Sequence, residues 1–336
     1  MHSPHAVQRE AKRNGALQML GPGWWLLLSA ILLLPGAASA QSGDVPKKIT
    51  MIVGFAPGGG VDTLARVVAQ ELSDSAGFQV VIENRPGAGS NIAARVVAQA
   101  APDGATLLFT GNSYAINQTI YHSPGYVTAD LRPVAIAALD SQGLGVNAAN
   151  PANTLGDFVR AAKDKPPSFG FGGSSSRIIA EYVLKVMAKT EATAVPFQSG
   201  APALNALLGN HVDIIAAPTA ELLPQVQQGA ARVLAVSGTK RSVSFPDAPK
   251  LAEAGFPGLE INGWIGILAP AGTPDGICDR LNRAVDAAVA KPVVNARLRQ
   301  LGYEPHGMPL AETGRFLTNS IETWRKMILA TGMAIN

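Results

Sequence analysis

Three consecutive glycines, Gly58 to Gly60, follow the apolar run "ITMIVGF" and open the amphipathic segment "GVDTLARVVAQEL". Glycines let a backbone approach a ligand with no Cβ in the way. The N–H groups at a helix start, at the positive end of the helix dipole, suit a carboxylate or a phosphate. The loop lacks the Lys-Ser/Thr pair of a nucleotide P-loop and the G-x-G-x-x-G spacing of a dinucleotide site. A plain strand-to-helix turn is the alternative reading.

Two further stretches carry hydrogen-bonding groups at strand ends. "TGNSYAIN" places Thr110, Asn112 and Ser113 after an apolar strand, where open α/β sheets bind ligands. "GNSYA" also approximates a nucleophile elbow, but Ala115 replaces the final glycine. The only histidines beyond the first forty residues are His122, His211 and His306, and none stands in a recognisable catalytic context. "FGFGGSSSRIIAEY" offers Gly173 and Ser174 to Ser176 at a helix start, with Arg177 able to grip a carboxylate bidentately. Serine capping with a solvated arginine explains the same residues equally well. "NRPGAGSN" reads as a tight turn with Ser90 or Asn91 capping the next helix. Asp62, Asp103 and Asp213 read as caps or turn residues rather than a catalytic pair. Three scattered histidines and one cysteine give no metal-ligand spacing.

These loops need elements to hold them. The chain has 336 residues, 47% of them apolar, enough for two lobes with their own cores. The formal charge is +3, and the first forty residues carry most of it through Arg9, Lys12 and Arg13 against Glu10. The remainder is near neutral, with no electrostatic footprint for nucleic acid or an anionic membrane. Those forty residues read as an export signal: basic residues, then "WWLLLSAILLL", then "PGAASA" with cleavage between Ala40 and Gln41. The apolar run is short for a bilayer span. Cys278 is the single cysteine, so no intramolecular disulfide forms, and its helical setting reads as a small buried apolar residue. Export without disulfides suits a bacterial periplasm.

Short β-like runs alternate with helical ones from "ITMIVGF" onward, in a βαβαβ order that predicts a parallel, doubly wound sheet. A second such series runs from "TLGDFVRAAKDK" to "RVLAVSG". Crossings between the two lie near Gly143 to Val146 and near Gly263 to Gly266, and the three terminal helical patterns would return to the first lobe.

Taken in order, "ITMIVGFAPGGGVDTLAR", "VVIENRPGAGSNIAARVVAQAAPDGATLLF", "AINQTIY", "GSSSRIIAEYV", "VPFQSGAPALNALLGNHVDII", "VLAVSGTKRSVSFPDAPKLAEAG" and "GILAPAGTPDGICDRLN" resemble the substrate-binding proteins of tripartite tricarboxylate transporters, the Bug family of periplasmic receptors. The resemblance runs from about Pro46 to the end. It implies a type II periplasmic binding protein: residues 41–143 with 265–336 as one α/β lobe and residues 144–264 as the other, hinged about a ligand cleft. It implies a small carboxylate as ligand, membrane permease subunits as partners, a monomer, no cofactor and no catalysis. The implied carboxylate seat is the first loop, with Phe55, Pro57, Gly58, Gly59 and Asp62. Thr110, Asn112 and Ser113 stand beside it. Gly173, Ser174, Ser175 and Arg177 face it from the second lobe, with Ala217 and Thr219 of the "AAPT" turn. The serine loop is shorter than in many relatives, and Arg177 replaces a usual histidine. Ala217 replaces an acid able to pair with a ligand ammonium, which weighs against an amino-acid ligand. The competing readings are a sensor for a membrane signalling partner, on the same fold, and an exported hydrolase using Ser113.

Overall fold

The computed structural model describes residues 44–333, so the export signal and its cleavage point lie outside the described residues. The first lobe opens with β1 (Lys48–Val53), α1 (Gly60–Ala76), β2 (Gln79–Asn84), α2 (Asn91–Ala98), β3 (Thr106–Gly111), α3 (Asn112–Ile120) and β4 (Leu131–Asp140). The second contains β5 (Gln142–Asn147), α4 (Leu155–Asp164), β6 (Ser168–Phe171), α5 (Ser174–Glu181), β7 (Thr193–Pro196), α6 (Gly200–Leu208), β8 (Ile214–Pro218), α7 (Thr219–Gln227) and β9 (Ala231–Val236). The chain closes with β10 (Gly263–Pro270), α8 (Asp275–Ala290), α9 (Pro292–Gln300), β11 (Glu304–Pro305) and α10 (Leu310–Thr331).

Two sheets result, in the orders β11-β4-β10-β3-β1-β2 and β7-β6-β8-β5-β9. β2, β1 and β3 are parallel, as are β7, β6 and β8, which matches the doubly wound pattern. Both sheets are nevertheless mixed. β10 runs antiparallel to β3 and β4, and β5 runs antiparallel to β8 and β9. These two strands enter from the neighbouring lobe, not through a helical crossover on their own sheet, so nothing imposes the parallel sense.

Local signals set the elements. α1 buries Leu64, Ala65, Val68 and Leu72 along one face and stops at Gly77, a left-handed residue with φ 72°. α4 starts with a capping box, Thr154 accepting from the Asp157 N–H while Asp157 accepts from the Thr154 N–H. Alternation along the strands divides the core of the first lobe. Val53 and Phe109 pack under α1 and α8 with Leu64, Val68, Cys278 and Leu281. Ile52 and Leu108 face the other way, in a cluster that continues through Tyr114, Trp324 and Ile328 to Ile178 and Phe169 of the second lobe. α10 lies along α3 and β4 and also touches α5, so one helix packs on both lobes. Trp264 of β10 donates its indole N–H to Ser320 of α10 at 3.0 Å. Cys278 is fully buried, and burial pushes its thiol up, in keeping with an inert role.

Candidate ligand-binding site

The glycine loop joins β1 to α1, and residues 56–60 are exposed. Its shape is held from below by Asp62, whose carboxylate accepts four hydrogen bonds. Gly58 N–H donates at 2.8 Å, Arg66 donates twice at 2.9 and 3.1 Å, and Asn84 donates at 2.7 Å. Asn84 also donates to the Phe55 carbonyl at 3.0 Å. Burial pushes the Asp62 carboxyl up, but the bonds from Arg66, Asn84 and Gly58 outweigh it and hold the group below its ordinary range. Asp62 is therefore spent on the loop itself, and the sequence expectation that it touches ligand is corrected. Phe55 is half-buried and packs against the core cluster that contains Val53 and Leu64.

The glycines divide the work. Gly58 has φ +80°, Gly59 has φ −72°, and a Cβ on Gly60 would lie 2.3 Å from the Tyr303 hydroxyl. A Cβ on Gly59 meets nothing nearer than the Ala56 carbonyl at 3.4 Å. Backbone strain thus belongs to Gly58 and not to Gly59. Gly58→Ala is expected to lose about 1–2 kcal/mol of stability for its left-handed backbone, and Gly59→Ala to stay within about 0.5 kcal/mol of wild type. Paired urea melts check this. Equal losses in both variants would contradict the assignment.

The neighbouring loop is more closed than its sequence suggests. Thr110 is fully buried, its hydroxyl 3.1 Å from that of Ser90. It cannot donate to a ligand. Asn112 accepts from the Trp264 N–H at 3.0 Å and so latches α3 to β10. The Ser113 hydroxyl is buried with no partner among the described residues, so no base stands on it as a hydrolase requires. Ser90 and Asn91 do not cap α2 either. Ser90 is left-handed at φ +79°, and Asn91 accepts from Asn117 and Tyr126.

In the second lobe, Gly173 and Ser174 are exposed and Ser175 is half-buried at the start of α5, whose N-cap Gly173 supplies no side-chain bond. The serines do not cap. Ser176 turns inward to donate to Gln142 at 3.1 Å. Arg177 is engaged: it donates to Glu181 at 3.2 Å and stacks over Phe171, 5.5 Å from the ring centroid. Ala217 packs into the core beside Leu222 and Val236, because strand alternation turns its methyl inward. Thr219 is 2% exposed, its hydroxyl 3.4 Å from both Asp140 and the Gly302 carbonyl. Ala217 and Thr219 are thus corrected from ligand contacts to structural residues, while Arg177 keeps its side chain 39% exposed beside the open start of α5.

Three residues absent from the sequence reading meet where the lobes join. Asp140 ends β4, Glu221 lies in the first turn of α7, and Tyr303 follows α9. Burial, then the charge of Glu221, pushes the Asp140 carboxyl up to about 8, against hydrogen bonds from Thr219. Glu221 keeps solvent access, yet the protein around it pushes its carboxyl up as well. Burial beside Asp140 and Glu221 raises the Tyr303 phenol further. Asp140 had one visible signal, a lone charge closing the apolar strand "LRPVAIAALD". Glu221 and Tyr303 had none. A separate groove under Asn153–Gly156 and Ser244–Pro249 shares no residue with these loops.

The chain has relatives that match it almost end to end. A family described as the tripartite tricarboxylate transporter family receptor matches residues 64–333. Protein BugT of Bordetella pertussis is 31% identical over 91% of this chain and 96% of its own. An R. palustris protein solved with adipate superposes with a TM-score of 0.77 at 33% identity, over 85% of this chain and 98% of that one. MatC of Rhodopseudomonas palustris, solved with malate, gives 0.72 at 29% identity, over 84% and 98%. An α/β pair of lobes, open helix starts at its strand ends and this extent of match make the chain a member of the tripartite tricarboxylate transporter receptor family.

Proposed function

We propose that this chain is a periplasmic solute receptor that holds a small carboxylate in a cleft between its lobes and delivers it to the permease subunits of a tripartite transporter. The observation that carries the reading is the pair of open helix starts. Gly59–Gly60 of α1 and Gly173–Ser174 of α5 are exposed, and neither helix has a side-chain cap. Orphan N–H groups at a dipole's positive end favour an anion held largely by backbone. The adipate and malate seen in related proteins have the matching chemistry. Closure would then be a shift in a hinge equilibrium about the β4–β5 and β9–β10 passages, and the closed form is what a permease would recognise. No helix among the described residues is long and apolar enough to cross a membrane.

A thermal-shift screen of the chain from Gln41 onward against mono-, di- and tricarboxylates tests the reading. A ligand at a hundred times its Kd adds about 2.7 kcal/mol, several degrees in Tm for a chain of this size. Gly59→Val should fold normally and bind that ligand about 10–100-fold more weakly, since its side chain would stand where the carboxylate rests. Silence across the whole screen, or wild-type affinity in Gly59→Val, would remove the assignment.

A further inference from the structure

Glu221 stands in an unusual place. A Cβ on Gly200, the first residue of α6, would lie 1.7 Å from its Oε2, so the carboxylate lies directly over the start of that helix. The N-cap of α6, Ser199, gives no side-chain bond. The Glu221 carboxylate therefore stands beside the start of α6. Among the described residues no hydrogen bond or cation offsets its burial.

A second observation points at the same spot. Tyr303 is 5% exposed, yet its hydroxyl makes no hydrogen bond among the described residues. That hydroxyl lies over Gly60, at the start of α1, near the carboxyl groups of Asp140 and Glu221. The hydroxyl keeps contact with solvent, and water or a ligand can accept its hydrogen bond. The hydroxyl can donate to a carboxylate seated on the α1 amides.

We propose that Glu221, backed by Asp140 and Tyr303, is a specificity residue that makes the second-lobe end of the ligand site prefer a hydrogen-bond donor, an ammonium or hydroxyl, over a second ionised carboxylate. This rests on the carboxylate-receptor reading. A dianion with both ends ionised would bring its second charge against Glu221, and like charges at close range disfavour the complex.

The test uses calorimetry on the chain from Gln41 onward at neutral pH, with ligands matched in length: succinate against 4-aminobutyrate, and adipate against 6-aminohexanoate. In wild type the amino acids bind more tightly than the diacids. Glu221→Gln keeps the shape beside Gly200 and should move the diacid-to-amino-acid affinity ratio about tenfold or more toward the diacid. Tyr303→Phe should weaken every carboxylate several-fold with no loss of Tm, because an unpartnered hydroxyl contributes nothing to the fold. An unchanged ratio in Glu221→Gln, or diacids bound better by wild type, overturns the inference and leaves the receptor reading standing. Wild-type affinity in Tyr303→Phe overturns the phenol's part. Failure of wild type to bind any of the four ligands, or any carboxylate in the broader screen, overturns both.

Discussion

Asp62→Ala is expected to cost about 2 kcal/mol of stability and on the order of 100-fold in carboxylate affinity. The two figures differ because the residue acts twice. In the fold it gathers Gly58, Arg66 and Asn84 onto one carboxylate. Removing it leaves an N–H, an amide and a guanidinium without their acceptor. A deeply buried charge left alone costs about 3–5 kcal/mol, but the Arg66 side chain is 53% exposed and water takes over much of its solvation, hence the smaller figure. In binding the loss is larger. The left-handed turn at Gly58 and the outward aim of the α1 amides depend on that tether. If the loop holds its competent shape one hundredth of the time, apparent affinity falls by the same factor. Asp62→Asn keeps one acceptor and should fall between. Denaturant melts with calorimetry measure both effects. An Asp62→Ala protein that folds and binds like wild type would show that the loop keeps its shape without the carboxylate.

The roles of single residues were less legible in the sequence than the loops they belong to. The glycine loop was visible because glycine is there for backbone reasons, a positive φ at Gly58 and a close approach at Gly60. The apolar runs of β1 and β3 were visible because both faces of those strands are buried. What spacing cannot report is which way a polar group turns once its strand enters a sheet. Thr110 and Ala217 sit at strand ends, where a ligand residue belongs, yet one is fully buried against Ser90 and the other lies in the core. Arg177 had the right chemistry for a carboxylate, but Glu181, one helical turn on, reaches it first. The missed residues share another cause. Tyr303 reaches Gly60, and Glu221 reaches Gly200, only through tertiary contacts between segments far apart in the chain. Periodicity describes one element at a time and carries no information on such meetings.

Asp140→Asn is expected to flatten the pH dependence of stability between pH 5 and 8 and to raise stability at the alkaline end. An unfolded aspartate titrates near 3.9, while burial, then the charge of Glu221, pushes Asp140 up to about 8. Between those values the folded chain holds a proton that the unfolded chain has released. Stability from this group is then complete below about pH 4 and falls as pH rises, by at most about 1.4 kcal/mol per pH unit. Over the full interval that is at most about 5–6 kcal/mol. Glu221 and Asp286, the latter pushed up to about 6 by its own burial, act in the same sense and leave a residual slope in the variant. Asp62, whose carboxyl is held low, acts in the opposite sense, but its contribution is complete above about pH 4 and lost only in stronger acid. Burial pushes the His306 imidazole below its ordinary value, so it acts in the opposite sense within the window, and the difference between wild type and Asp140→Asn is what isolates Asp140. Asparagine keeps an oxygen for the Thr219 hydroxyl and has no proton to lose. Wild-type Tm should fall across the window, and the Asp140→Asn variant should fall less and overtake it by pH 8. The same ionisation would place a negative charge beside Tyr303 and Gly60, so wild-type affinity for a carboxylate should decline above pH 8 while the variant holds. A wild-type Tm that is flat from pH 5 to 8, or one with the same slope in both proteins, would mean that Asp140 is ionised in the fold and solvated or paired there.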